Sequence, residues 1–421
     1  MDKKSLLGAF LSLLLLSMLL MTFCSAVPAQ TSLSWSVQTV DENGASLFSH
    51  ASIVVDSNNA PHIAYNGLVN GTYFVMYASW NGSGWNTQTV AVGTDAYSLL
   101  LDVNGNPHIL YQYRHVPHLG GPLNELMYAS WTGRKWDIQY TGIIEANPAT
   151  LALDSLGNPH IAYKDDDGVK YARWTGTYWS IQTLDTAIDL SQVFTEFRLS
   201  FALDPKNTPY IMYSSSSYAD YSQAVGVRAI NVTLATYQGS SWTIKPLSLP
   251  PPTGDLGNLV LDSKGFPHFL CTQRVHSEEP PYLQNILYAS WNGSAWDMQT
   301  VVSNVYLDSI GFLALDSHDY PHISYSAGES MYASWTGIAW DIQTADFAGY
   351  LVVDANGNPH ITNYVETGSR FVSHLMYATA TEKAQPPSPT FPALPLLLVS
   401  TAVIIGAVVT VVYVWKKKTK H

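Results

Sequence analysis

One phrase recurs along this 421-residue chain and constrains its fold more than any other feature. An apolar run leads into Asp-x-x-Gly-x-Pro-His, and apolar residues ending in Tyr follow. The leading aspartates are Asp56, Asp102, Asp154, Asp204, Asp262, Asp316 and Asp354, on average about 50 residues apart. Self-similarity at such a period marks a repeat architecture. The fourth copy is the weakest, with Asn207 for Gly and Tyr210 for His, and Asn59 and Asp319 replace Gly in two others. A second phrase follows the first six copies: Tyr-Ala-Ser-Trp, a tight turn, then Trp-x-x-Gln-Thr. It is clear at Tyr77–Trp80 with Trp85–Thr89 and at Tyr128–Trp131 with Trp136–Gln139. It returns around Trp174 and Trp179, Trp291 and Trp296, and Trp335 and Trp340, while the fourth copy keeps only Tyr237 and Trp242.

Each copy supplies four short runs rich in Val, Ile, Leu, Tyr, Trp and Thr, separated by Gly, Asn and Pro. Those are strand and turn signals. In the third copy the four predicted strands, A to D, are 151–154, 159–163, 169–174 and 179–184. Asp154–Asn158 forms the first hairpin turn, with Gly157 available for positive φ. Four antiparallel strands of this length make one propeller blade, and a blade buries both faces only by stacking on neighbours. Trp35–Val40 reads as a strand D with nothing before it, and Leu375–Ala380 as a strand C with nothing after it. The expected fold is all-β: a seven-bladed β-propeller of four-stranded antiparallel blades over 33–381. Pairing the N-terminal strand into the last blade as its outer strand closes the ring. This phasing puts strand A innermost and strand D outermost.

The two ends read differently. Residues 1–26 combine a basic start, the apolar run Leu6–Phe23 and the small residues Cys24-Ser25-Ala26. That order predicts a secretory signal peptide cut after Ala26 or Ala29, with an uncleaved N-terminal anchor as the alternative. Pro386, Pro387, Pro389 and Pro392 stiffen a stalk predicted over 382–393. Leu394–Trp415 is 22 residues without charge, long enough to cross a bilayer as one helix. Lys416, Lys417, Lys418 and Lys420 follow in the tail, 416–421, and hold it in the cytoplasm by the positive-inside rule. The expectation is a single-pass cell-membrane protein, anchored by that helix, with the repeat domain outside.

Charge narrows the partners. The chain carries 20 Lys and Arg against 32 Asp and Glu, a net of −12. Setting aside Asp2, Lys3, Lys4 and the four tail lysines leaves 14 basic against 31 acidic side chains, a net of −17. So acidic a surface repels phosphate backbones, and no nucleic-acid partner is expected. Cys24 leaves with the signal peptide. Cys271 is then alone and reads as a buried small hydrophobe in a strand.

The strand order sorts the loops onto two faces. A–B and C–D turns share one face and are monotonous. B–C loops and D–A crossovers share the other and are irregular. Function concentrates on varied loops held by a rigid frame, so the binding site is expected on the irregular face near the central channel. Its candidate ligand-binding residues are Tyr113, Arg114, His118, Asp165, Asp166, Tyr221, Arg274, His276, Glu278, Tyr282 and Arg370. Aromatic, Arg and carboxylate groups of this kind suit sugars or polar protein surfaces. The repeated His62, His108, His160, His268, His322 and His360 are expected to pack or hydrogen-bond within their own blades, not to share a metal. Asp102-x-Asn104-x-Asn106 and Asp354-x-Asn356-x-Asn358 look like calcium-loop fragments but lack the later bidentate Glu, so they read as turns. No metal or cofactor is expected. Asn70, Asn81, Asn231 and Asn292 head N-glycosylation sequons.

At Tyr-Ala-Ser-Trp-x-Gly-x-x-Trp the chain resembles sialidase-type propellers, with Ser79-x-Asn81 and Trp85 near the positions of that group's Ser-x-Asp and Trp. It is similar to fucose-lectin propellers, which carry Trp-x-x-Gly-x-x-Trp-like turns. It looks most like prokaryotic cell-surface propellers with Asp-x-x-Gly-Asn-Pro-His repeats. The resemblance covers about residues 33–381 and implies fold more strongly than activity. The first functional expectation is a non-catalytic surface module that binds an extracellular glycan or protein. The sialidase resemblance implies a second, a glycoside hydrolase. Arg114, Arg198, Arg274 and Arg370 would then hold a substrate carboxylate, and Tyr221 or Tyr282 would be the nucleophile. A third expectation is a structural component of the cell envelope.

Overall fold

The computed structural model describes residues 33–44, 51–114, 124–186, 196–217, 229–249, 253–275, 283–366 and 372–382. The predicted signal peptide, membrane helix and basic tail lie outside the described residues, as does nearly all of the predicted stalk. Among the described residues no helix is long and apolar enough to cross a membrane.

The described elements are all strands. β1 (Leu33–Gly44) comes first. Then β2 to β5 (Ser52–Val55, Pro61–Val69, Thr72–Trp80, Trp85–Val92) and β6 to β9 (Thr94–Leu101, Pro107–Arg114, Asn124–Trp131, Trp136–Ile144) follow. The third and fourth copies give β10 to β13 (Ala149–Leu153, Pro159–Asp165, Gly168–Trp174, Trp179–Asp185) and β14 to β17 (Glu196–Leu203, Pro209–Ser217, Ala229–Gln238, Ser241–Pro246). The fifth and sixth give β18 to β21 (Thr253–Leu261, Pro267–Arg274, Gln284–Trp291, Trp296–Val305) and β22 to β25 (Ser309–Leu315, Pro321–Ser326, Ser330–Trp335, Trp340–Thr344). The last copy has three strands, β26 to β28 (Tyr350–Val353, Pro359–Glu366, Ser373–Glu382).

The second to sixth copies each fold into a four-stranded sheet in chain order, antiparallel throughout. The first copy pairs the same way, and the last copy takes β1 as its fourth strand, beside β28. A bridge between Gly44 and Gly67 joins these two groups into one eight-stranded sheet. The close approach explains Gly44: a Cβ there would sit 2.7 Å from the Ser373 carbonyl oxygen. The first strands of successive sheets contact one another in order, and β26 contacts β2. These first strands therefore form a continuous inner wall around an axis. The cores lie between neighbouring sheets, as where Ile63 and Tyr65 of β3 pack with Leu375 and Tyr377 of β28.

The repeated phrases explain this geometry. In every copy the Asp carboxylate caps its own turn. Asp102 Oδ1 accepts from the backbone N–H of Asn104 at 2.9 Å and of Asn106 at 2.8 Å. The third residue after each Asp adopts positive φ, which Gly, Asn and Asp tolerate best. That is why Asn59, Asn207 and Asp319 substitute for Gly. The His that follows bonds within its own sheet: His360 Nδ1 meets the Tyr377 hydroxyl at 2.6 Å, and its Nε2 lies 3.4 Å from Asp354 Oδ2. The same Asp–His–Tyr arrangement recurs at His62, His108, His160, His268 and His322. The Tyr of each set then packs against a Trp of the next sheet. Tyr77–Trp136, Tyr128–Trp179, Tyr171–Trp242 and Tyr288–Trp340 are such pairs, with ring centroids 5.1 to 6.0 Å apart.

Asp354 illustrates what a turn carboxylate is worth. It is buried and accepts from Asn356 N, Asn358 N and Asn358 Nδ2 at 2.8 to 3.0 Å. Asp354→Ala leaves those donors unpaired and is expected to cost about 3 kcal/mol, read by urea denaturation. A loss under about 0.5 kcal/mol would contradict the capping role.

Candidate functional site

The inner strands begin on the irregular face and end at the Asp turns, so their first residues ring the axis on that face. The position four residues before each Asp is Ser52, Ser98, Thr150, Ser200, Asn258, Phe312 and Tyr350 in turn. It is polar in five copies, and several of those side chains tie one inner strand to the next. Ser52 Oγ accepts from Leu99 N at 2.9 Å, and Ser200 Oγ from Leu259 N at 2.9 Å. Asn258 accepts from Leu313 N and donates to Leu313 O, both at 2.8 Å. In the last two copies the wall turns aromatic. Phe312 and Tyr350 are half-buried, with ring centroids 3.9 Å apart.

Charged and phenolic groups along the inner strands act on one another electrostatically. Burial raises the Tyr350 phenol above its ordinary pKa, against the pull of the Arg198 guanidinium on β14. Burial also raises Tyr364 of β27, whose hydroxyl accepts from Asn66 N at 2.9 Å and which feels Tyr350, Asp41 and Asp95. Burial pushes the Asp95 carboxyl up to about 6, with Arg114 pulling the other way. Tyr97 is raised by burial and by Asp95, and Arg114 opposes this too. Arg198, Tyr350, Tyr364, Asp95, Tyr97 and Arg114 thus form one electrostatically linked set drawn from five strands. Fully buried Asn66 ties β3 to β6: its Oδ1 accepts from Ala96 N at 3.1 Å, and its Nδ2 has no partner among the described residues. An inner wall that carries aromatic, guanidinium, phenol and carboxyl groups can stack on a polar ring and hydrogen-bond its substituents.

Of the residues expected from sequence, Arg114 joins this set. Tyr113 instead packs against the core between the first and second sheets. Asp165 is held by Lys170 at 2.7 Å, and Asp167 binds the same amine at 3.0 Å, so the Asp165–Asp167 stretch clamps its own hairpin while Asp166 stays exposed. Arg274 is half-buried at the end of β19. His118, Tyr221, His276, Glu278, Tyr282 and Arg370 lie outside the described residues. Asn81 and Asn292 cap C–D turns, Asn81 Oδ1 accepting from Ser83 N at 3.0 Å and Asn292 Oδ1 from Ser294 N at 2.9 Å. Asn70 takes positive φ in the β3–β4 turn, and Asn231 is exposed on β16. Cys271 is buried, and burial pushes its thiol up to about 12, which keeps it unreactive. Asp95, Tyr97, Phe312, Tyr350 and Tyr364 were not singled out by sequence. Phe312 and Tyr350 carry one signal, the change from Ser, Thr or Asn to an aromatic residue at the fourth position before Asp316 and Asp354.

No family model matches the chain, and no curated protein matches it. Solved structures do. An ulvan lyase described as representing a new polysaccharide lyase family superimposes with TM-score 0.56 at 12% identity, over 80% of this chain and 94% of its own. The polysaccharide lyase Uly1 gives 0.52 at 11%, over 86% and 94%. The β-propeller domain of the Trilobed protease from Pyrococcus furiosus gives 0.46 at 9%, over 82% and 98%. The chain's own sheets, four-stranded and with first strands in contact from β2 round to β26 and back, are arranged as a β-propeller. At these identities the likeness is one of fold, and activity has to be argued from this propeller's own side chains.

Proposed function

We propose that the chain is a seven-bladed propeller, carried outside the cell by the 394–415 helix, that binds a glycan at the axial mouth of its irregular face. Seven blades are supported by the inner-strand contacts from β2 round to β26 and back, and by β1 supplying the fourth strand of the last copy. Residues 1–26 act as the signal peptide and 382–393 as the stalk. The observation that carries the binding reading is the Phe312–Tyr350 ring pair on the inner wall, with Arg198 acting on Tyr350 and Asp95 reaching it through Tyr364. Sugar rings present C–H faces to aromatic rings and hydroxyls to Arg and carboxyl groups, so this set suits a saccharide. Two structures of like fold belong to polysaccharide lyases, which is compatible with a carbohydrate ligand.

The test is a glycan array with the purified chain, its fold checked by circular dichroism. Selective retention of a few related glycans is expected. A blank array from folded protein would move the assignment to a protein partner or an envelope role.

One observation favours a second reading, cleavage of the bound glycan. A carboxyl pushed up to about 6 beside a phenol and a guanidinium can exchange a proton near neutral pH. If the propeller cleaves its ligand, new reducing ends appear at a rate that Asp95→Asn lowers at least 100-fold. No reducing ends above the buffer rate would leave the module purely binding.

A further inference from the structure

The fourth copy departs from the repeat at three positions that meet at one junction between sheets. In register, Tyr210 occupies the place of the repeated His, opposite Thr236 as His160 is opposite Arg173. Leu234 occupies the place of the Tyr that bonds that His, opposite Lys245 as Tyr171 is opposite Gln182. Lys245 thereby takes the place of a Gln present in the other described registers: Gln88, Gln139, Gln182, Gln299 and Gln343. That Gln position accepts from the next sheet's Trp at two junctions, Trp242 Nε1 to Gln182 at 2.8 Å and Trp85 Nε1 to Gln38 at 3.1 Å, while Trp136, Trp179 and Trp340 Nε1 have no partner among the described residues. Lys245 has no acceptor to offer.

The consequence is a cavity of about 250 Å³ at this junction, lined by Tyr210, Leu234, Gln238, Lys245, Trp291 and Trp296 among others. Leu is shorter than Tyr and has no hydroxyl, so the ring that would fill this space is missing. Trp296 turns to Phe269 instead, with centroids 5.0 Å apart. The space lies toward the Asp-turn face, away from the axial site.

We propose that this cavity is a second sugar site, separate from the axial one, that takes a single pyranose bearing an anionic group. Trp296 and Trp291 supply aromatic walls for the ring, Gln238 and the Tyr210 hydroxyl supply hydrogen bonds, and exposed Lys245 meets the anion at the mouth. Apolar walls with a few polar groups fit an amphipathic ring better than a free inorganic anion, which would leave the Trp faces unused.

The test restores the ordinary junction. The triple variant Tyr210→His, Leu234→Tyr, Lys245→Gln rebuilds the His–Tyr pair and the repeated Gln, and should fill the cavity without lowering the melting temperature. The full chain is titrated with methyl β-D-glucuronide and with neutral methyl β-D-glucoside, followed by saturation-transfer NMR and calorimetry. The glucuronide should bind saturably and the glucoside at least tenfold more weakly. The triple variant should lose at least tenfold for the glucuronide, and Lys135→Ala, at an exposed turn of the second copy, should lose nothing. Should the triple variant fold poorly, Lys245→Glu reverses the charge at an exposed position and should cost at least tenfold by itself. No saturable glucuronide binding, equal binding of the glucoside, or wild-type affinity in the Lys245 variants would each overturn the proposal.

Discussion

A chain lacking residues 33–44 is expected to lose its single cooperative melting transition and to aggregate. β1 does three jobs at once. It pairs with β28 and completes the last sheet. Its Trp35 packs edge-on against Tyr332 at 5.6 Å, as Trp85 packs on Tyr377 one junction further round. Its Val40 is buried in the core shared by the last and first copies. Removing it exposes β28 as an unpaired edge and opens two junctions, and exposed hydrophobic edges invite association. Losing half-buried Trp35 and buried Val40 together costs about 3 kcal/mol, a large share of a net stability of roughly 5–15 kcal/mol. Calorimetry and size-exclusion chromatography read the outcome. A truncated chain that stays monomeric and melts cooperatively within a few degrees of the intact one would show that closure does not depend on β1.

Acid should destabilise the propeller in two stages. Burial lowers the pKa of His62, His108, His160, His268 and His360 in the folded state. Unfolded histidines take a proton near 6.5, so below that pH the unfolded state binds more protons and stability falls as pH falls. The turn carboxylates act lower. Burial pushes Asp56, Asp102, Asp154, Asp316 and Asp354 upward, but hydrogen bonds in the turns and the adjacent His outweigh it and hold them low, Asp316 at about 2. Their contribution is full above about 4 and is lost as pH falls through the folded values. The melting temperature should be flat from pH 8 to 7, drop by several degrees toward pH 5, and fall more steeply below pH 4. A melting temperature that holds or rises between pH 7 and pH 5 would contradict neutral, buried histidines.

The parts of the fold that rest on local chemistry were legible in the chain. Asp-x-x-Gly spells a capped turn within five residues, and the unmatched strands at Trp35 and Leu375 pointed to each other. The axial set was legible only in Arg114 and Arg198; Tyr350, about 150 residues from Arg198, feels its charge only once the inner strands close around the axis. Local patterns also misled in places. Asp165 looked available for a ligand until Lys170, five residues on, turned out to clamp it. Tyr237 looked like the surviving Tyr of the fourth copy. It pairs with Trp242 as Trp174 pairs with Trp179, so it replaces the first Trp, and the missing Tyr is at Leu234. Register, which needs the partner strand, decides that difference.

The most direct test of glycan binding at the axis is a titration of the array-selected glycan against Arg198→Ala and Tyr350→Ala. Removal of either side chain should weaken binding at least tenfold while the melting temperature stays within a few degrees. Wild-type affinity in both variants would place the ligand elsewhere and contradict the axial site.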